Sequence, residues 1–199
     1  MKLFDKWETK GINFKDAGLA KYMNLEDKVI PHSFGATNKE ASRKTKINIV
    51  ERLVNKMMRS GQGKKKLSGK FVRHRMGCGK KEQILKTVEA AFEHIHKVTK
   101  ENPIQVLVTA IEYSAPREDI TKLQKGDITY TQSVDLSPIK RLDEALKNIA
   151  LAAFKNTYKS KKDIATALAE EIIDASKNDP KSFSVKRKDE IERIAQGSR

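Results

Sequence analysis

The chain has 199 residues, 38% hydrophobic and 34% charged, with a formal net charge of +15; this size fits one domain with irregular extensions. No apolar run approaches a membrane span, and the opening MKLFDKWETK lacks the apolar core of a secretory signal, so none is predicted. Cys78 is the only cysteine, which excludes an intrachain disulfide and favours a reducing, intracellular compartment.

Residues 1–40 have no sustained period and include Gly11, Gly18, Pro31 and Gly35. They read as an extension with short turns that orders on a partner. Trp7, Phe14, Tyr22 and Phe34 are scattered along it; they either stack on bases or anchor the arm to the body, and anchoring is the favoured reading. His32-Ser33-Phe34-Gly35 is too polar and kinked for a strand. Ile47, Val50, Leu53, Val54, Met57 and Met58 then recur at the spacing of an amphipathic helix, with Ser60 and Gly61 as its C-cap. The approach to this helix, Ser42-Arg43-Lys44-Thr45-Lys46, is cationic. That is unfavourable against the helix dipole alone but becomes an anion site once a phosphate lies opposite.

Between Arg43 and Lys81 there are 14 basic residues and a single acid, Glu51. Residues 1–80 hold 20 Lys and Arg against 7 Asp and Glu, whereas 81–199 hold 21 against 19. Such a block repels itself until a polyanion neutralises it. A membrane binder would set a basic face against bulky apolar residues on one helix. Here most of the charge lies in 61–81, GQGKKKLSGKFVRHRMGCGKK, which is glycine-containing and aperiodic. It reads as a loop built to follow a phosphate backbone, so nucleic acid is the better fit.

A long helix from about Lys81 carries Ile84, Leu85, Val88, Ala91, Phe92, Ile95 and Val98. Asn102 caps a shorter one with Pro103 at its first position. Its Ile104, Val106, Leu107, Val108, Ala110 and Ile111 are apolar nearly all round, which predicts a central place in the core. The period then changes to two: Ile128, Tyr130, Gln132, Val134 and Leu136 alternate with Thr129, Thr131, Ser133 and Asp135. With 117–124 as partner strand and Lys125-Gly126-Asp127 as turn, this is a hairpin over 117–135. A lone ribbon is marginal in water, so it either caps the helical core or projects into a nucleic-acid groove.

Ser137-Pro138 starts a helix with the stripe Ile139, Leu142, Ala145, Leu146, Ile149, Ala150, Ala153 and Phe154. Ser160-Lys161-Lys162-Asp163 reads as a capping box for another, through Ile164, Leu168, Ala169, Ile172 and Ile173, broken at Asn178-Asp179-Pro180. The charged segment 185–196 reads as a surface helix with the cluster Lys186-Arg187-Lys188 at its start. The fold class is mainly α: a bundle of about six helices with one protruding β-hairpin between the third and fourth, an N-terminal extension (1–40), and a helical nucleic-acid-binding domain (41–199) that includes the basic loop.

Candidates for chemistry are few. His74 and Cys78 could be two zinc ligands, but a structural site needs four; only His32, His94 and His96 remain, and the last two point to different helix faces. Gly77-Cys78-Gly79-Lys80-Lys81 lacks the spacing and the preceding strand of a phosphate-binding loop. Glu170 and Glu171 read as ordinary helix-surface acids. No nucleophilic constellation stands out, and the expectation is no catalytic site, metal, cofactor or small-molecule substrate.

The stretch Asn55-Lys56-Met57-Met58-Arg59-Ser60-Gly61, followed by a lysine run, resembles the first-helix signature of the small-ribosomal-subunit protein seven family. Asn102-Pro103-Ile104-Gln105-Val106 to Arg117, Val134-Asp135-Leu136-Ser137-Pro138, and Lys188-Asp189-Glu190-Ile191-Glu192-Arg193-Ile194-Ala195 occur in the same family order. The resemblance covers roughly 40–199, and the N-terminal extension is similar to the archaeal branch and its eukaryotic counterpart, called protein five there. It implies a mostly helical, cytoplasmic, ribosome-bound protein with one protruding ribbon. Such a protein is a primary binder of the small-subunit rRNA and nucleates assembly of the subunit head. It lies near the subunit interface, its ribbon close to exit-site tRNA and mRNA and its C-terminal helix close to a neighbouring ribosomal protein of the platform.

Carried onto this sequence, the ribbon is 117–135, beginning at Arg117 and with Lys122 and Lys125 nearest its tip. The implied rRNA contacts are Arg43, Lys44 and Lys46, then Lys64, Lys65 and Lys66, then Lys140 and Arg141; Lys188 and Arg193 fit the C-terminal helix. Charge density adds Arg59 and the loop cations Lys70, Arg73 and Arg75. Many cations with few aromatics on regular elements suit recognition of RNA shape and phosphate geometry more than base edges. A helical DNA-binding or transcription factor is the alternative. It would present basic and amide residues on one exposed recognition helix, whereas the charge here sits in loops and arms. A nucleic-acid enzyme needs clustered carboxylates for metal ions, and between Glu51 and Glu82 there are none.

Overall fold

The computed structural model describes residues 2–35, 41–60, 66–67, 70–71, 79–157 and 160–199, with the side chains of 41–43, 66–67, 70–71 and 125 outside the description. A single turn of helix, α1 (Ala17–Ala20), precedes α2 (Ile49–Met57), α3 (Lys81–Thr99), α4 (Pro103–Ser114), α5 (Pro138–Thr157), α6 (Ile164–Ser176) and α7 (Phe183–Gln196). Two short strands, β1 (Lys66–Leu67) and β2 (Lys70–Phe71), pair antiparallel inside the segment that the sequence assigns to a loop. The long ribbon, β3 (Glu118–Lys125) and β4 (Ile128–Asp135), leaves the body between α4 and α5, the third and fourth of the six longer helices among the described residues.

Within the helical body α6 packs on α3, α4 and α5, and α4 is buried against it. Asn102 Oδ1 accepts from the Ile104 N–H at 3.1 Å and Pro103 occupies the first turn, where its missing N–H leaves no bond unmade. Ile104, Val106, Leu107, Val108, Ala110 and Ile111 are all buried, because α3, α5, α6 and α7 pack on different sides of the helix. The expected central position is what the structure shows.

Element ends differ from the sequence reading in physically simple ways. Asn48 caps α2 by accepting from the Val50 N–H at 2.9 Å, so Ile47 is buried but precedes the helix. The cationic approach is a 3-10 helix, Ala41–Lys46. α2 ends at Met57, and the Ser60 hydroxyl donates to the Met57 carbonyl at 2.7 Å; the glycine proposed for this cap lies outside the described residues. The capping box at α6 does not form. Asp163 is itself the N-cap, accepting from the Ile164 N–H at 2.8 Å, while Ser160 closes a local turn by accepting from the Lys162 N–H. Val98, the last member of the α3 stripe, is 58% exposed; it lines an open cleft with Gln105, Thr109 and Ser176.

The N-terminal arm packs on this body. Leu3, Trp7, Leu19 and Met23 are buried in the core. Phe4, Trp7 and Phe92 of α3 meet edge to face, with centroids 5.7–6.4 Å apart, a geometry worth about 0.5–1.5 kcal/mol per pair beyond burial. Polar bonds fix the direction of the arm: Lys6 bridges Glu89 and Glu93 of α3, and Glu112 of α4 accepts from the Lys15 and Asp16 N–H groups at 2.9 and 3.0 Å. Of the five aromatics of the arm, Phe4, Trp7, Phe14 and Tyr22 pack against the core and Phe34 does not.

Candidate nucleic-acid interface

The ribbon is built by alternation and closed by one glycine. Its register pairs Glu118 with Asp135 at the base and Lys125 with Ile128 at the tip. This leaves Gly126 and Asp127 as a two-residue turn. Gly126 takes φ +64° at the first turn position, where a side chain would be strained. Strands of eight residues make a ribbon about 25 Å long. Paired residues share a face, so Leu123, Ile128, Tyr130 and Val134 line one side, all of them exposed.

The ribbon is supported toward its base, and the Thr131 hydroxyl donates to that of Ser198 at 3.5 Å. Leu136 is buried and its N–H donates to the Arg117 carbonyl at 2.9 Å. The Arg117 N–H donates to Glu192 of α7 at 2.9 Å, and Arg199 pairs with Glu118. Ser133 donates to the Ser198 carbonyl at 3.4 Å. The distal part, 122–132, is exposed throughout its described side chains.

The sequence-predicted cations fall into three groups. Lys46, Arg59, Arg117, Lys122, Lys140 and Arg193 are exposed. Lys44, Arg141 and Lys188 are partly buried and pair with Asp143, Asp16 and Asp189. Lys64, Lys65, Arg73 and Arg75 lie outside the described residues, as do His74 and Cys78, while Arg43, Lys66, Lys70 and Lys125 are placed by their backbone alone.

One carboxylate brings two of the predicted stretches together. Asp143, in the second turn of α5, bonds Lys44 from the 3-10 helix and lies 3.3 Å from both Arg52 and Lys56 of α2. Arg141, two residues earlier on α5, pairs with Asp16 at 2.9 Å, and Lys140 reaches Asp119 at the ribbon base at 3.8 Å. The 3-10 helix, the start of α5 and the root of the ribbon are thereby linked. Burial pushes the Asp143 carboxyl up, but the Lys44 hydrogen bond and the charges of Lys56, Lys44 and Arg52 outweigh it and hold the group below the usual carboxylate range.

Residues 19–199 match the family described as ribosomal protein S7p/S5e. The chain belongs to that family. Over 100% of this chain and 99% of the relative, it is 46% identical to the small ribosomal subunit protein uS7 of Methanococcus aeolicus. At the same coverage it is 44% identical to the proteins of that name from two strains of Methanococcus maripaludis.

Membership in the S7p/S5e family makes this chain a structural protein of the small ribosomal subunit, archaeal in type, ribosome-bound in the cytoplasm, and not an enzyme. No three His, Cys, Asp or Glu side chains among the described residues gather as metal ligands, and no helix among them is long and apolar enough to cross a membrane.

Two acids of this family member are buried and structural. Glu51, the lone acid of the basic block, is 2% exposed; its Oε1 accepts from Lys81 and from the Ser33 N–H and hydroxyl. Glu171 corrects the sequence reading: it is 3% exposed. It accepts from the Ser184 N–H at 2.9 Å, the Ser182 and Ser184 hydroxyls at 2.7 Å and the Phe183 N–H at 3.3 Å. It therefore satisfies the otherwise orphan donors at the start of α7, while Glu170 remains at the surface beside Lys162. The sequence signal for this was present but faint: Ser182, Ser184 and an acid on the preceding helix.

Proposed function

We propose that this chain is a primary binder of small-subunit rRNA that nucleates assembly of the subunit head. Its helical domain, 41–199, carries the RNA contacts, with 1–40 as its extension. The ribbon reaches toward exit-site tRNA and mRNA, and α7 meets a neighbouring ribosomal protein of the platform. The observation that carries this reading is the ribbon: two exposed strands that add little to the core project from a body whose exposed cations include Arg117, Lys122 and Lys140. The deep, narrow major groove of A-form RNA excludes helices, whereas a thin arm or ribbon can follow its phosphates.

The experiment is binding of the purified full chain to small-subunit rRNA with every other ribosomal protein absent, followed by a sucrose gradient of native subunits before and after a high-salt wash. Direct binding to the bare rRNA and retention through the wash are expected. A chain that joins only after other proteins are bound, or is stripped at moderate salt, would be a late, peripheral component.

A further inference from the structure

We propose that Phe34, backed by His32, is a stacking platform for one unpaired nucleobase of the bound RNA. The ring is 88% exposed, alone among the five aromatics of the arm. Its backbone is held in place nonetheless. The Ser33 N–H and hydroxyl both donate to Glu51 Oε1, at 3.0 and 2.7 Å, and Glu51 is buried in the first turn of α2. The Phe34 N–H donates to His32 Nδ1 at 2.8 Å. The imidazole lies against one side of the phenyl ring with centroids 4.3 Å apart and planes inclined by 38°.

The conformation is one that L side chains disfavour. Phe34 has φ +49° and Gly35 follows at +77°. A large aromatic residue in the left-handed region is uncommon and is kept where surroundings hold it there, frequently at ligand sites. Here it presents a flat apolar surface outward and adds little to the core.

The electrostatic setting selects the ligand. The oxygen that pins Ser33 also accepts from Lys81, the last residue of the basic block 43–81. Gly79 and Lys80 beside it are exposed. A nucleotide whose base lies on the phenyl ring would place its phosphate among cations, the combination of aromatic face and positive groove that single-stranded RNA takes. An aliphatic protein segment would gain the apolar contact but not the charge.

This inference rests on the rRNA-binding reading, and the test separates the two. Full-length wild type, Phe34→Leu and Phe34→Trp are titrated against in vitro transcribed small-subunit rRNA over a series of salt concentrations. Phe34→Leu should weaken binding about tenfold, within the roughly 5- to 150-fold span of one base on one aromatic side chain. The slope of log K against log salt should stay unchanged because no phosphate contact is lost, and Phe34→Trp should bind like wild type. Ultraviolet irradiation of native small subunits should cross-link the peptide containing Phe34 to a nucleotide. Equal binding by wild type and Phe34→Leu, a loss accompanied by a shallower slope, or a loss shared by Phe34→Trp overturns the platform. Failure of the wild type to bind the rRNA would instead overturn the proposed function.

Discussion

Asp143 shows how a strongly basic chain holds itself together where no RNA is needed. Arg52 is almost fully buried, and its guanidinium has the Asp143 carboxylate at 3.3 Å and the Tyr22 carbonyl at 3.2 Å. Replacing Asp143 with Asn keeps the shape and leaves Arg52 without its counter-charge. The expected cost is about 2–4 kcal/mol at neutral pH, read by urea unfolding of the full chain. The sign of its pH dependence follows from a folded-state pKa below the unfolded value. The contribution is complete above the unfolded carboxyl value, roughly 4, and is lost as pH falls through the lower folded value. The gap between wild type and Asp143→Asn should therefore narrow below about pH 4; a gap constant down to pH 2 would refute the ion-pair account. None of this was legible in the sequence, because Lys44 and Asp143 are 99 positions apart and nothing in either local stretch marks the other. Glu171 was misread for a related reason. A carboxylate beside Glu170 looks like surface, and its partners are supplied by a turn that exists only once α6 and α7 pack.

Elements were read far better than residues, since each carries its own period. The apolar run of α4 and the two-residue alternation of 128–136 are local patterns, and the structure places them as core helix and ribbon. Ends were harder: Asn48 and Asp163 outcompeted nearby alternatives as caps, and a cap is decided by one side-chain bond. The ribbon then makes a prediction of its own. Thr121 pairs with Gln132, so 122–131 can be replaced by a two-residue Asn-Gly turn without breaking the base held by α7. Because the described side chains among those removed are exposed, unfolding stability should change by less than about 1 kcal/mol. Affinity for rRNA should fall, with a shallower salt slope, because Lys122 and Lys125 leave with the tip. Loss of cooperative unfolding in the shortened chain would show instead that the ribbon belongs to the core.

At the scale of the whole molecule, the two halves of the chain differ in charge balance. In 81–199, basic and acidic residues nearly balance at 21 and 19. Many of these cations have acidic neighbours: Lys140 with Asp119, Arg141 with Asp16, Lys147 with Glu144, Lys162 with Glu170, Arg187 with Glu190, Lys188 with Asp189 and Arg199 with Glu118. A cation already beside a carboxylate releases fewer counterions on meeting phosphate, so it adds little to the salt dependence of binding. The block from Arg43 to Lys81 has 14 basic residues and only Glu51; Lys81 pairs with Glu51, and Lys44, Arg52 and Lys56 with Asp143 of α5, which leaves the other basic residues of the block in excess over its acids. Lys64→Ala, Lys65→Ala and Lys66→Ala combined should therefore flatten the log K against log salt slope by about 2–3. The same triple change at Lys147, Lys162 and Lys188 should alter it by less than about 1. Both variants are compared with wild type on the same rRNA at the same salt series. If the two slopes change equally, affinity is spread over the whole surface and the charge asymmetry serves solubility or assembly order. If only the first changes, the basic block supplies most of the attraction to RNA.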